Sequence, residues 1–417
     1  MEYTKSKNKY FISFILIIFF ESLNVFSLNH PNQIIKFLSY LYIYISIFFI
    51  IFKIEISNFS DFSKITKFLF LIILIYGLFE IFLNIDDNWN LFASNFYIST
   101  FGNITYGPMF LAPIFFLWAI NLKSLDYFEK ISFLTVVIGI FINTIFIFFE
   151  TKLVLVLLLP TFYLLAGFNY RSNLQKIIII ISLCLSFLYF FAESYRSGAI
   201  RIILSLIPFL LIYFNFKRIN TFFLFFFLFL PIFIIFTALN DYPLLFSNIQ
   251  KIYLGSNYDP LYVDTRTFLY NEFFEEYKNS NLKTILFGKG ALGTYYSPYF
   301  EQIYNSQVLS YRGDFYIRSI SEVGIIHLLL KGGFFYFFLF FLLLFIVLIR
   351  GLKKVNNNYI KYQILNLSIF FTYMTIENRP YFSFLYICFW IILGLCSSQK
   401  ILNLSDREIK NQIFKNN

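Results

Sequence analysis

The sequence predicts an all-α polytopic membrane protein of about twelve transmembrane helices, with one large outer loop between the ninth and tenth. Three observations predict it. The 417-residue chain is 59% hydrophobic, carries 63 Phe and has a mean hydropathy of +0.70. That is more apolar surface than a water-soluble interior hides, so lipid is the expected solvent. The apolar residues run unbroken, without the ~10-residue alternating segments of a closed barrel. Lys and Arg then recur at every second connection, as the positive-inside rule requires.

The expected spans lie near 10–28, 34–52, 66–84, 104–120, 131–149, 153–169, 175–192, 198–215, 221–239, 332–350, 359–376 and 381–397. Each approaches the ~20 apolar residues that cross ~30 Å of hydrocarbon. The first follows the basic MEYTKSKNKY; Glu21 and Asn24 stand where a cleavage site would need small residues, so it reads as a retained helix. Gly107 and Pro108 soften the fourth, and Glu150 and Lys152 separate the fifth from the sixth.

Charge sets the orientation. Lys5, Lys7 and Lys9, Lys53, Lys64 and Lys67, Lys123 and Lys130, Arg171 and Lys176, Lys217 and Arg218, Arg350 to Lys361, and the basic tail share one side. The short opposite connections hold Lys36, Lys152, Arg196, Arg201 and Arg379. Both termini are therefore expected in the cytoplasm. The net charge of +10 is topology information and gives no reason to expect nucleic acid. Cys184, Cys388 and Cys396 sit in apolar runs with neither metal spacing nor a disulfide framework.

The chain divides into spans one to nine (1–239), a large loop (240–331), spans ten to twelve (332–397) and a polar tail (398–417) that reads as loose. A connection of ninety residues between spans is a functional signal. Within it, 262–278 reads as an amphipathic helix with Phe268, Phe273 and Phe274 against Glu272, Glu275 and Glu276. FGKGALG meets the G-x-G-x-x-G spacing at Gly288, Gly290 and Gly293, but it lacks a βαβ context and reads as a tight turn.

The candidate site residues are charged groups near the outer interface. Glu193, Arg196 and Arg201 follow the seventh span; they are either snorkelling side chains or an anion clamp. A guanidinium fork matches phosphate oxygens. On a helix over 311–331, Asp314, Arg318 and Glu322 share one face, with His327 and Lys331 nearly opposite; a break at Gly324 would bring both sets to one cavity. His327, one of two histidines, has base chemistry, and Glu322 competes with it. Glu377 and Arg379 read as a charged turn before Pro380. No metal-ligand cluster is visible, so no metal or cofactor is expected.

The architecture and three stretches, YRSGAIR (195–201), DTRTFLYNEFF…LFGKGALGTYYS (264–297) and RSISEVGIIHLLLKGG (318–333), resemble the O-antigen polymerase (Wzy-like) family and its ligase relatives. The resemblance implies a bacterial inner-membrane glycosyltransferase with a periplasmic loop. It joins undecaprenyl-pyrophosphate-linked oligosaccharide repeat units, with a chain-length regulator and a flippase as partners. It also implies Arg196, Arg201, Arg266 and Arg318 as pyrophosphate binders. The ligase-like pattern has His followed by Asn, whereas His327 is followed by Leu328, which weighs against a ligase and against His327 as the base. A ligase that moves finished glycan to lipid A core or protein remains an alternative. A lipid-linked oligosaccharide flippase is a second, but short connections and paired halves, its hallmarks, are missing.

Overall fold

The computed structural model describes chiefly residues 61–83, 107–120, 122–145, 160–192, 196–214, 216–240, 266–291, 293–298, 317–318, 321–377 and 384–414. The expected spans at 10–28 and 34–52 lie outside the described residues, as do Glu193, Asp314 and Arg379. The protein is mostly helical. Helix α1 (Lys64–Leu83) is followed by a 3-10 helix (Gly107–Ile120), α2 (Leu122–Ile145), the short α3 (Thr161–Leu164) with a 3-10 turn (Leu165–Tyr170), α4 (Asn173–Ala192), α5 (Arg196–Tyr213) and α6 (Lys217–Leu239). Then come α7 (Thr267–Lys278), α8 (Leu282–Phe287), strands β1 (Tyr295–Tyr296) and β2 (Ile317–Arg318), α9 (Gly324–Lys354), α10 (Asn358–Tyr373), α11 (Phe384–Ser397), α12 (Gln399–Leu402) and α13 (Asp406–Ile409). Pro113 removes a backbone donor inside the first 3-10 helix, which packs against α1 and α11.

Among the described residues, two helices are long and apolar enough to cross a bilayer: α6, over Arg218–Leu239, and α9. A soluble core helix would be apolar because it is buried all round. Helix α6 is not: Phe222, Phe226, Phe233 and Phe236 are exposed while Phe223, Leu224, Phe227 and Leu228 are buried. The apolar exterior continues on α1 (Phe68, Ile75, Phe79), α4 (Leu174, Ile177, Leu188) and α5 (Ile203, Leu210), a surface suited to lipid rather than water. Helices α10 and α11 form the centre, with Phe340 of α9 against Phe371, Phe389 and Trp390. Polar side chains of α10 tie the layers together: Gln363 Nε2 donates to the Tyr163 carbonyl at 3.0 Å, and the Tyr362 hydroxyl reaches the carbonyls of Phe162 and Ser205 at 3.0 and 3.1 Å.

The tail is packed rather than loose. Ser405 and Glu408 form a capping box at the start of α13, and Ile401, Leu402, Ile409, Ile413 and Phe414 are buried. Phe414 lies over the Arg171 guanidinium, 5.2 Å from ring centre to charge, while Arg171 pairs with Glu129 and the Tyr359 hydroxyl donates to the same carboxylate. A Cβ on Gly167 would fall 2.6 Å from the Phe414 ring, so glycine admits it.

Helix α9 is broken at Gly333, whose φ of +68° no longer follows the helix. The break lies nine residues beyond Gly324, where the sequence placed it; Gly324 instead begins the helix. The exposed carbonyls are all met. Lys289 N donates to Leu330 at 2.8 Å, Gly290 N to Lys331 at 3.0 Å, and the Tyr76 hydroxyl to Gly332 at 2.8 Å. The Tyr277 hydroxyl bonds the Phe334 amide and the Ile285 carbonyl; burial pushes it up to about 12, so it stays protonated and able to donate. Thus the glycine-rich turn after α8 is the cap of a broken helix. Gly288 (φ +75°) faces Gly333 so closely that a Cβ on Gly333 would lie 2.3 Å from the Gly288 nitrogen. Gly333→Ala is expected to cost ~2 kcal/mol or more in thermal unfolding of detergent-solubilised protein; a wild-type melt would show that the turn can move off α9.

Candidate functional site

Helix α7 organises the segment between α6 and α9. Its buried face carries Leu269, Tyr270, Phe273 and Phe274, so the amphipathic reading of this stretch holds for 267–278. Its acidic face anchors β1: the Ser297 hydroxyl donates to Glu272 at 2.6 Å, and the Tyr296 amide donates to Glu276 at 2.8 Å. Lys289 also pairs with Glu276 and donates to the Thr294 carbonyl at 2.8 Å. Strand β2 pairs antiparallel with β1, Tyr295 opposite Arg318. Burial pushes the Tyr295 hydroxyl up to about 12, so a neutral ring, not a charge, lies beside Arg318.

Arg318 is therefore on a strand and Glu322 on the bend that follows, not on the continuous helix expected over 311–331. The two still meet. Arg318 Nη2 lies 4.0 Å from Glu322 Oε1, and Arg266, at the N-cap of α7, pairs through Nη1 with Glu322 Oε2. Glu322 is the open member, 45% exposed against 20% for Arg266 and 12% for Arg318.

Arg201, in the second turn of α5, is 8% exposed. Its guanidinium lies 4.8 Å from the Phe162 ring centre and 5.4 Å from those of Phe370 and Tyr373. Three aromatic faces replace water around this cation, which is costly unless the rings pay back part of the desolvation. Arg196 is the first residue of α5.

The last turn of α10 joins both groups. The Tyr373 hydroxyl, on the ring that covers Arg201, donates to Glu377 at 3.0 Å. The Glu377 and Met374 carbonyls accept from Gly324 N and Ile325 N at 3.2 and 3.0 Å, and the Tyr270 hydroxyl donates to the Thr375 carbonyl at 2.7 Å. Arg201, α7 and the start of α9 all touch this end of α10. His327, one turn further along α9, is fully buried, whereas Glu322 is open. Among the described residues, no group of three or more His, Cys, Asp or Glu is placed to hold a metal.

What the structure adds to the sequence reading is the aromatic box of Arg201, the bridging position of Glu322 and the tie through Tyr373 and Glu377. Only the E-N-R-P turn hinted at the last. No protein-family model matches the chain, and neither the curated proteins nor the solved structures contain a match.

The box makes a separable test of Arg201. Methionine fills a similar volume and is content among aromatic rings, so Arg201→Met should melt within about 1–2 kcal/mol of wild type. Collapse of this variant in a thermal unfolding assay would make Arg201 a packing element and remove it from the site.

Proposed function

We propose that the protein is a surface-polysaccharide polymerase of the O-antigen type. In this reading it has twelve spans in the bacterial inner membrane, both termini in the cytoplasm and residues 240–331 in the periplasm. Its substrates are two undecaprenyl-pyrophosphate-linked oligosaccharides. A hydroxyl of the acceptor sugar attacks the anomeric carbon of the donor glycan. The new glycosidic C–O bond forms as the bond from that carbon to the pyrophosphate oxygen breaks, and the electron pair leaves with the lipid pyrophosphate. Arg201, Arg266 and Arg318 hold the developing negative charge, with Arg196 at the head of α5 as the fourth cation. Glu322 takes the hydroxyl proton.

The observation that carries the reading is the meeting of Arg266 and Arg318 at one exposed carboxylate. Both arginines belong to the stretches on which the family resemblance rests. The alternation of basic connections supports the orientation. Burial of His327 supports Glu322 as the proton acceptor. The ligase reading shares this chemistry and differs only in the acceptor.

Reporter fusions at Asn240 and Lys354 should report opposite sides of the membrane; a periplasmic signal at Lys354 would overturn the orientation. In cells, Arg201→Ala and Arg266→Ala should leave surface glycan at a single repeat unit with protein levels unchanged. Full-length chains retained on the carrier in these cells would indicate the ligase instead. With purified lipid-linked repeat units, Glu322→Gln should lower polymer formation roughly 10²-fold and His327→Gln only slightly; the opposite order would make His327 the base.

A further inference from the structure

We infer that Glu322 is a built-in occupant of the pyrophosphate site, and that a pyrophosphate group exchanges for it between Arg266 and Arg318. The inference rests on the functional reading above for the identity of the donor, but its geometry stands on three observations.

The first is that the carboxylate fits its two partners unequally. It is in contact with Arg266 yet 4.0 Å from Arg318, too long for a hydrogen bond. In this placement only one carboxylate oxygen is in contact with a guanidinium, so the second fork is not filled. A pyrophosphate spreads its oxygens over two phosphorus atoms and brings more charge, so it can engage both guanidinium groups at once.

The second concerns which member moves. Arg266 caps α7 and Arg318 lies in the β1–β2 ladder, and both are largely covered. Glu322 stands on the bend between β2 and α9 and is the most exposed of the three. Displacing it disturbs no regular element.

The third is that the neighbouring helix terminus is already used. A helix start can hold an anion with its free amides, but Gly324 N and Ile325 N donate to the Glu377 and Met374 carbonyls. Recognition of an anion here falls to the arginines.

The exchange has a chemical result. While Glu322 pairs with Arg266, one of its oxygens is engaged and the other lies toward Arg318. When the donor's pyrophosphate takes the arginines, the carboxylate is released beside the bond that will break, ready to accept the proton of the incoming hydroxyl. Donor binding then arms the base.

The test is calorimetric titration of inorganic pyrophosphate, and separately of a polyisoprenyl pyrophosphate in micelles, into the full-length detergent-purified chain. Removing a competing exposed ion pair should tighten binding, so Glu322→Gln and Glu322→Ala should each bind about fivefold more strongly than wild type. Arg266→Ala or Arg318→Ala placed on Glu322→Gln should abolish the gain. A gain with both ligands supports a site that reads the headgroup alone; a gain only with the lipid form supports a site that reads the anchored headgroup. Equal or weaker binding by both Glu322 variants, with melting temperatures near wild type, overturns the exchange. The outcomes separate from those of the functional reading: tighter pyrophosphate binding by Glu322→Gln, with surface polymer untouched by Arg266→Ala, keeps the exchange and discards the polymerase.

Discussion

A buried apolar helix has to find a partner for every backbone group, and α9 cannot do so from within at Gly333. The carbonyls of Leu330, Lys331 and Gly332 lose their normal partners at the break and find them in Lys289, Gly290 and Tyr76. Two of those donors belong to the turn after α8 and one to α1. The segment between α6 and α9 is thus bound to α9 through main-chain hydrogen bonds, which tolerate little displacement. Lys331 adds a side-chain tie, its Nζ donating to the Gly293 carbonyl at 2.7 Å. Because α7, β1 and the turn form one unit through Glu272, Glu276 and Lys289, the cap at Gly333 also fixes where Arg266 and Arg318 stand.

Among the described residues two arginines are buried, Arg171 and Arg201, and their surroundings differ. Arg171 meets Glu129 directly, with Tyr359 completing the carboxylate and Phe133 and Phe414 flanking the cation. A charge matched by a buried counter-charge is closed to visitors. Arg201 is instead enclosed by the faces of Phe162, Phe370 and Tyr373. Aromatic faces soften the loss of water around a cation. Tyr362 holds this box together by reaching the Phe162 and Ser205 carbonyls, which fixes α3 and α5 against α10.

Much of the helical layout was legible, because long apolar runs with basic ends dictate helices in lipid: α1, α4, α5, α6, α9, α10 and α11 lie close to the runs that foretold them. The amphipathic α7 and the turn at Gly288 and Gly290 were legible for local reasons, a period of apolar residues and a glycine pattern. The errors came where local spacing has two explanations. Arg318 and Glu322 are four apart, which suits a helix face, yet a strand followed by a bend brings the same pair together. Arg266 joins them from 56 residues away, and no sequence spacing encodes that. The double glycine at 332–333 was a readable sign of the break that was placed at Gly324 instead. In the tail, Ser405 and Glu408 at capping-box spacing were a readable sign of order.

The place of Phe414 also has a meaning for the order of events during synthesis. The Glu129–Arg171 pair joins α2 to the turn before α4, but one of its walls is supplied by Phe414, far along the chain. Until residue 414 has been made, that side of the pair lacks this wall. Synthesis of this late segment, rather than of α2 and α4 alone, is therefore what covers that side of the pair.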